Sequence, residues 1–154
     1  MQYTDIVWVK NLLGGSTIEM EGTVGATAVK KGDILIAGAT AEVLIPMIAV
    51  DTVVVGVATN DAAVGGTVNY TPAFPWNVFA IRTATATPYD DSADKFTCCD
   101  VVDFTSGAME INPEDGTASD VLLYGLADGE TDDTADNVAL CIFTDTVWTQ
   151  ELKN

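Results

Sequence analysis

The chain has 154 residues, carries 6 Lys and Arg against 23 Asp and Glu, contains no His and has a formal net charge of −17. Without His there is no Ser-His-Asp or Cys-His nucleophile pair, no His-ligated zinc or iron and no imidazole proton shuttle, and the negative charge makes nucleic acid and anionic lipid poor partners. A hydrophobic content of 48% excludes a disordered acidic tail, which would be poor in Val, Ile and Leu.

The opening residues, MQYTDIVWVKNLLGG, lack the basic start and unbroken apolar run of a secretory signal. No stretch approaches the roughly 18 apolar residues of a membrane helix, so the chain reads as soluble and unprocessed. From there the pattern has period two, in short runs rich in Val, Ile and Thr. It predicts about ten strands, drawn from segments 4–10, 16–21, 33–37, 42–46, 52–58, 66–70, 78–83, 95–102, 108–111, 120–126 and 137–148, some of them expected to merge. Turn residues punctuate them at Gly14-Gly15, Lys31-Gly32-Asp33, Gly38, Asn60-Asp61, Gly65-Gly66, Asp115-Gly116 and Asp128-Gly129. The helical candidates are two short segments, 92–95 and 119–123. Such spacing predicts an all-β fold, a small barrel or a sandwich.

A composition shift falls at Arg82. Residues 1–82 hold 7 acids and 4 bases, a net of −3, whereas 83–154 hold 16 acids and 2 bases, a net of −14. The first part suits a compact barrel and the second is an acidic β part with longer loops. Between them lies PAFPWNVFA, in which Pro72 and Pro75 argue against a central strand and Phe74, Trp76 and Phe79 cluster three aromatics. An aromatic-rich segment is costly to leave in water, so it reads as a crossover rather than a linker. Loops are short and 72–88 has no linker composition, which favours one compact unit over 1–154.

Carboxylates are the plentiful ionisable groups. They cluster at Asp90, Asp91 and Asp94, and again at Asp128, Glu130, Asp132, Asp133 and Asp136. Counted from Asp128, a calcium loop needs Gly sixth and Glu twelfth, where the chain has Asp133 and Ala139, so the motif fails and both clusters read as solvated turns. The Gly-Gly pairs match no phosphate-binding pattern, and Lys30-Lys31 is a weak anion site. Cys98, Cys99 and Cys141 lack zinc-site spacing and read as reduced thiols in strands, although one bridge to Cys141 is open to them. The residues therefore point to no catalytic group, metal ligand or cofactor. A carboxylate hydrolase is disfavoured by small size and by the lack of a convergent polar motif. Trp8 and Trp148, near the two ends, either close the core or anchor a partner, and Leu12-Leu13 follow Trp8.

The stretch VKKGDILIAGATAEVLIPMIAVDTVVVGVATNDAAVGGTVNYTP resembles the capsid decoration (cement) proteins of tailed bacteriophages. The resemblance is carried by the turn Lys31-Gly32-Asp33, the strand 54–58, the small acidic and alanine-rich loop 60–64 and the strand 65–70, within residues 30–82. It implies a small β-barrel or β-tulip with an N-terminal arm or strand. It further implies a non-enzymatic protein, made in the host cytoplasm, that sits on the outer surface of an icosahedral virion. Its expected partners are the major capsid protein, whose neighbouring subunits it would bridge, and itself as a homotrimer. On that reading an arm of residues 1–13, with Trp8, Leu12 and Leu13, docks by strand addition and can be removed without unfolding the barrel, and Phe74, Trp76 and Phe79 are the next contact candidates. The alternative is a fibre, tail or glycan-binding module, with Tyr70, Trp76 or Tyr89 stacking on sugars and acidic loops holding calcium.

Overall fold

The computed structural model describes residues 5–40 and 42–149. Along them run β1 (Val7–Asn11), β2 (Met20–Val24), β3 (Ile34–Ala37), β4 (Val43–Pro46), β5 (Val54–Ala58), β6 (Thr67–Pro72), β7 (Asn77–Arg82), the short helix α1 (Asp91–Asp94), β8 (Cys98–Asp103), β9 (Glu110–Asn112), β10 (Val121–Leu126) and β11 (Val138–Phe143). The fold is all-β, and each of the eleven predicted segments overlaps one strand without merging, although β2 shares only Met20 and Glu21 with the segment 16–21. Residues 119–123 do not form a helix. Val121 and Leu123 are buried while Leu122 and Tyr124 are half-exposed, and that alternation suits a strand paired with β8 on one side and β11 on the other.

Five strands close into a barrel in the order β2-β4-β3-β5-β6. The β2·β4 pair is parallel and the other four pairs are antiparallel. Val24, Leu35, Leu44, Val55, Val68 and Tyr70 form the core cluster of this unit. Gly56 is required by close approach, since a Cβ there would lie 2.4 Å from the Thr71 carbonyl oxygen. Pro72 ends β6 opposite Gly56, a strand terminus where its missing N–H costs little.

The other strands form a six-stranded sheet ordered β1-β7-β11-β10-β8-β9. A bridge from Thr83 to Ile111 brings β9 back toward the end of β7, so the sheet curls. The sheets divide after Pro72 rather than at Arg82, and β1 crosses to the acidic half. The barrel is therefore Met20–Pro72 and not residues 1–82. The cause lies in β7, where Val78, Phe79, Ala80 and Ile81 are all buried and the strand is central, with β1 and β11 on its two edges.

One core joins the two sheets. Ile34, Ile36, Val54 and Val57 of the barrel strands share a cluster with Phe79, Ile81, Val101, Ile111, Leu123 and Phe143 of the curled sheet. This explains β5, whose five residues are all buried, with Val55 in the barrel cluster and Val54 and Val57 in the shared one. All three cysteines are free, with Cys99 and Cys141 buried and Cys98 half-buried, so the bridge to Cys141 is not made.

Candidate functional site

The crossover between β6 and β7 holds an aromatic seam. Phe74 stacks on Trp76 at 5.0 Å between ring centroids and meets Trp148 edge-on at 4.9 Å. All three are half-buried, and the Trp148 indole N–H donates to the Val55 carbonyl at 2.8 Å, tying the far end of the chain to the barrel. Leu12 N–H donates to the Trp76 carbonyl at 2.8 Å, which draws the turn after β1 alongside the seam. Within that turn the Asn11 side chain accepts from Leu13 N–H at 2.8 Å, a local bond that fixes the backbone while the side chains stay outside. Leu12 is 43% and Leu13 76% exposed. Four of the six predicted contact residues, Leu12, Leu13, Phe74 and Trp76, thus belong to one junction, and Trp148 joins them through Phe74.

The other two are tied into the core. Phe79 is fully buried and packs edge-on against Phe143 at 5.3 Å, so it is a core residue and is corrected as a docking candidate. Trp8 is half-buried against the shared core, and its indole N–H donates to Asn77 Oδ1 at 3.1 Å. Asn77 in turn donates to the Thr17 hydroxyl and the Pro72 carbonyl, each at 2.9 Å, so Trp8 closes a network at the seam.

Nor is the N-terminal segment a free arm. Residues 1–4 lie outside the described residues, but Ile6 is buried in the shared core and β1 is paired with β7. The pairing slips between Trp8 and Lys10, and a bulge with a lysine on an edge strand blunts further strand addition. Exposed side chains, not strand addition, are the contact chemistry this end offers. Of the suggested sugar-stacking aromatics, Tyr70 and Tyr89 are buried, and burial pushes both phenols above their ordinary pKa; for Tyr89 its hydrogen bond to Asp91 adds to this.

The carboxylates divide by burial. Asp33 accepts from Lys30 N–H at 2.8 Å and Gly107 N–H at 2.6 Å, while Asp100 accepts from the amides of Ala118 and Ser119 at 2.9 and 2.7 Å. Asp120 accepts from Asp51 N–H at 2.9 Å and Val101 N–H at 3.0 Å. These three are buried and satisfied by backbone, a structural use that explains why they stay in the core. Sequence reading singled out the two acidic runs instead, because a lone Asp beside a strand gives no signal of burial. The first run is not wholly a solvated turn, since Asp94 is buried and accepts from Asp90 N–H at 2.7 Å, whereas in the second run Asp128, Asp132, Asp133 and Asp136 are exposed. Among the described residues, no group of three or more Cys, Asp and Glu side chains is placed to hold a metal ion, and no helix is long and apolar enough to cross a membrane. Burial raises the Cys99 and Cys141 thiols well above their ordinary pKa, which makes them poor nucleophiles.

No protein-family model matches the chain, and no curated protein matches it in sequence.

Proposed function

We propose that this protein is a non-enzymatic structural component of a tailed-phage virion. It sits on the outer capsid surface as a trimer and stabilises the shell by bridging neighbouring major capsid subunits. The observation that carries this reading is the exposed Leu12-Leu13 pair, held by Asn11 and bonded to the aromatic seam of Phe74, Trp76 and Trp148. Two large apolar side chains on a pinned turn gain about 25 cal/mol for each Å² they bury, with little further ordering cost. The resemblance over residues 30–82 supplies the kind of partner. The charge of −17 suits a protein crowded on a particle surface, where like charge keeps neighbours soluble.

The first measurement is copy number on purified particles from the source by quantitative mass spectrometry, with light scattering on the isolated protein. Copies comparable to the major shell protein, with a trimer formed in solution or on the capsid, are expected; absence from the particle overturns the reading. The surface test is the double variant Leu12→Asp, Leu13→Asp. It is expected to lose co-sedimentation with stripped particles while keeping its melting temperature, because both side chains are outside the core. Full particle binding by the double variant would place the contact elsewhere.

A further inference from the structure

A second surface feature lies away from the aromatic seam, on the curled sheet. Lys10 of β1, Leu140 of β11, Tyr124 and Gly125 of β10, Lys95 after α1 and Asp128 of the following loop line an open cleft of about 560 Å³. That volume falls in the usual small-molecule range of about 300–1,000 Å³.

Gly125 is the informative residue. Glycine inside a strand sacrifices side-chain packing and raises the ordering cost, so it normally answers a positive φ, a close approach or a bulge. The first two do not apply at this position. Its φ is outside the left-handed range, and a Cβ built there meets no atom within 4 Å beyond those of its two chain neighbours. Gly125 is itself buried, yet it lines the cleft and leaves the space beside its backbone unfilled. Beside it the β10·β11 register slips by one residue across Tyr124, a bulge of the kind that re-aims a side chain at a binding site. Lys10 Nζ lies 4.7 Å from the Tyr124 ring centre and holds that ring by a cation–π contact.

We propose that this cleft binds a neutral oligosaccharide. The rim offers ammonium donors at Lys10 and Lys95 beside carboxylate acceptors at Asp128 and at Asp91, which lies 3.7 Å from Lys95 Nζ. A sugar hydroxyl donates and accepts, so it uses both kinds of group at once. The Tyr124 ring and the Leu140 side chain provide apolar surface for sugar C–H groups, and the glycine lets a pyranose ring approach the backbone. Anionic ligands are disfavoured by the overall charge of −17, and the two lysines of the lining, interspersed with Asp91, Asp128 and Asp132, give it no single strong sign for a charged ligand to exploit. The inference does not rest on the particle assignment and is tested on the isolated full chain.

The experiment is saturation-transfer NMR against neutral oligosaccharides of hexoses and N-acetylhexosamines, with sialylated and uronic-acid oligosaccharides alongside. At least one neutral member is expected to bind, and both Gly125→Val and Tyr124→Ala are expected to weaken it about tenfold or more. Gly125→Val fills the open space with a residue that suits a strand, so it should melt no lower than the parent. If that variant does not fold, Tyr124→Ala alone decides. No binding by the parent, binding confined to the acidic oligosaccharides, or unchanged affinity in a folded variant would each overturn the proposal.

Discussion

Asp33 shows how much one side chain can organise. It is fully buried at the start of β3, accepts from Lys30 and Gly107 amides, and also takes the Ser106 hydroxyl, so it pins the turn entering the barrel to the loop before β9. The glycine before it, Gly32, has φ +87° and sits against Asp5, a conformation that suits the Lys31-Gly32-Asp33 turn. Asp33→Ala strands two backbone donors, each worth about 1–3 kcal/mol when left unpaired, so a loss of about 2–6 kcal/mol is expected in urea unfolding. A loss below about 1 kcal/mol would mean that water replaces the carboxylate. The thiols give a second expectation, since Cys99 and Cys141 are buried with raised pKa and Cys98 is half-buried. Iodoacetamide at neutral pH should alkylate Cys98 first in the folded protein and reach the other two only on unfolding, as read by peptide mass spectrometry.

Among the strands, β1 is the one whose role the fold changes most. It reads in sequence as an outlying arm with a tryptophan, yet it covers the edge of β7 and its flanking Ile6 enters the shared core. Deleting residues 5–13 uncovers a strand with five consecutive buried residues and removes the Trp8 to Asn77 hydrogen bond. The deletion is expected to unfold or aggregate the chain, seen as loss of a cooperative melting transition and of monodisperse scattering. A deletion variant that melts as sharply as the parent would restore the arm interpretation. Trp148 acts similarly from the other end, because its bond to Val55 holds the turn after β11 on the barrel.

The balance of ionisable groups sets the response of the folded chain to acid. Burial raises the carboxyl pKa of Asp94 and of Asp120 above the usual value of about 3.9. Such a group binds its proton more tightly when folded, so its stabilising contribution is complete below about pH 3.9 and is lost as pH rises through the folded value. Asp90 and Asp103 have the opposite sign. Hydrogen bonds from Ser92 and Thr105 lower them, and the stability they provide is lost as pH falls through their folded values, below the usual carboxylate range. Self-repulsion at −17 also eases as carboxylates protonate. The raised groups and the eased self-repulsion act in the same sense, so the melting temperature is expected to rise as pH is lowered from neutral toward the usual carboxylate range, measured by calorimetry at fixed salt. A steady fall over that approach would show that the raised groups do not dominate.

Period-two alternation and turn chemistry are local properties, and they suffice for the all-β class, the eleven strands and the place of most turns. The segments 33–37, 42–46 and 120–126 fall within one residue of β3, β4 and β10 at each end for that reason. The exposed Leu12-Leu13 pair and the aromatic crossover were legible as apolar residues in unusual settings. Which strands share a sheet was not, because pairing depends on contacts distant in sequence. β1 meets β7 from a distant part of the sequence, with Trp8 opposite Phe79. The same long-range packing buried Phe79, turned Trp8 into a core closure, placed three isolated aspartates among backbone amides and left Gly125 beneath open space. Burial and vacancy are relations between remote segments, so only the folded chain could assign them.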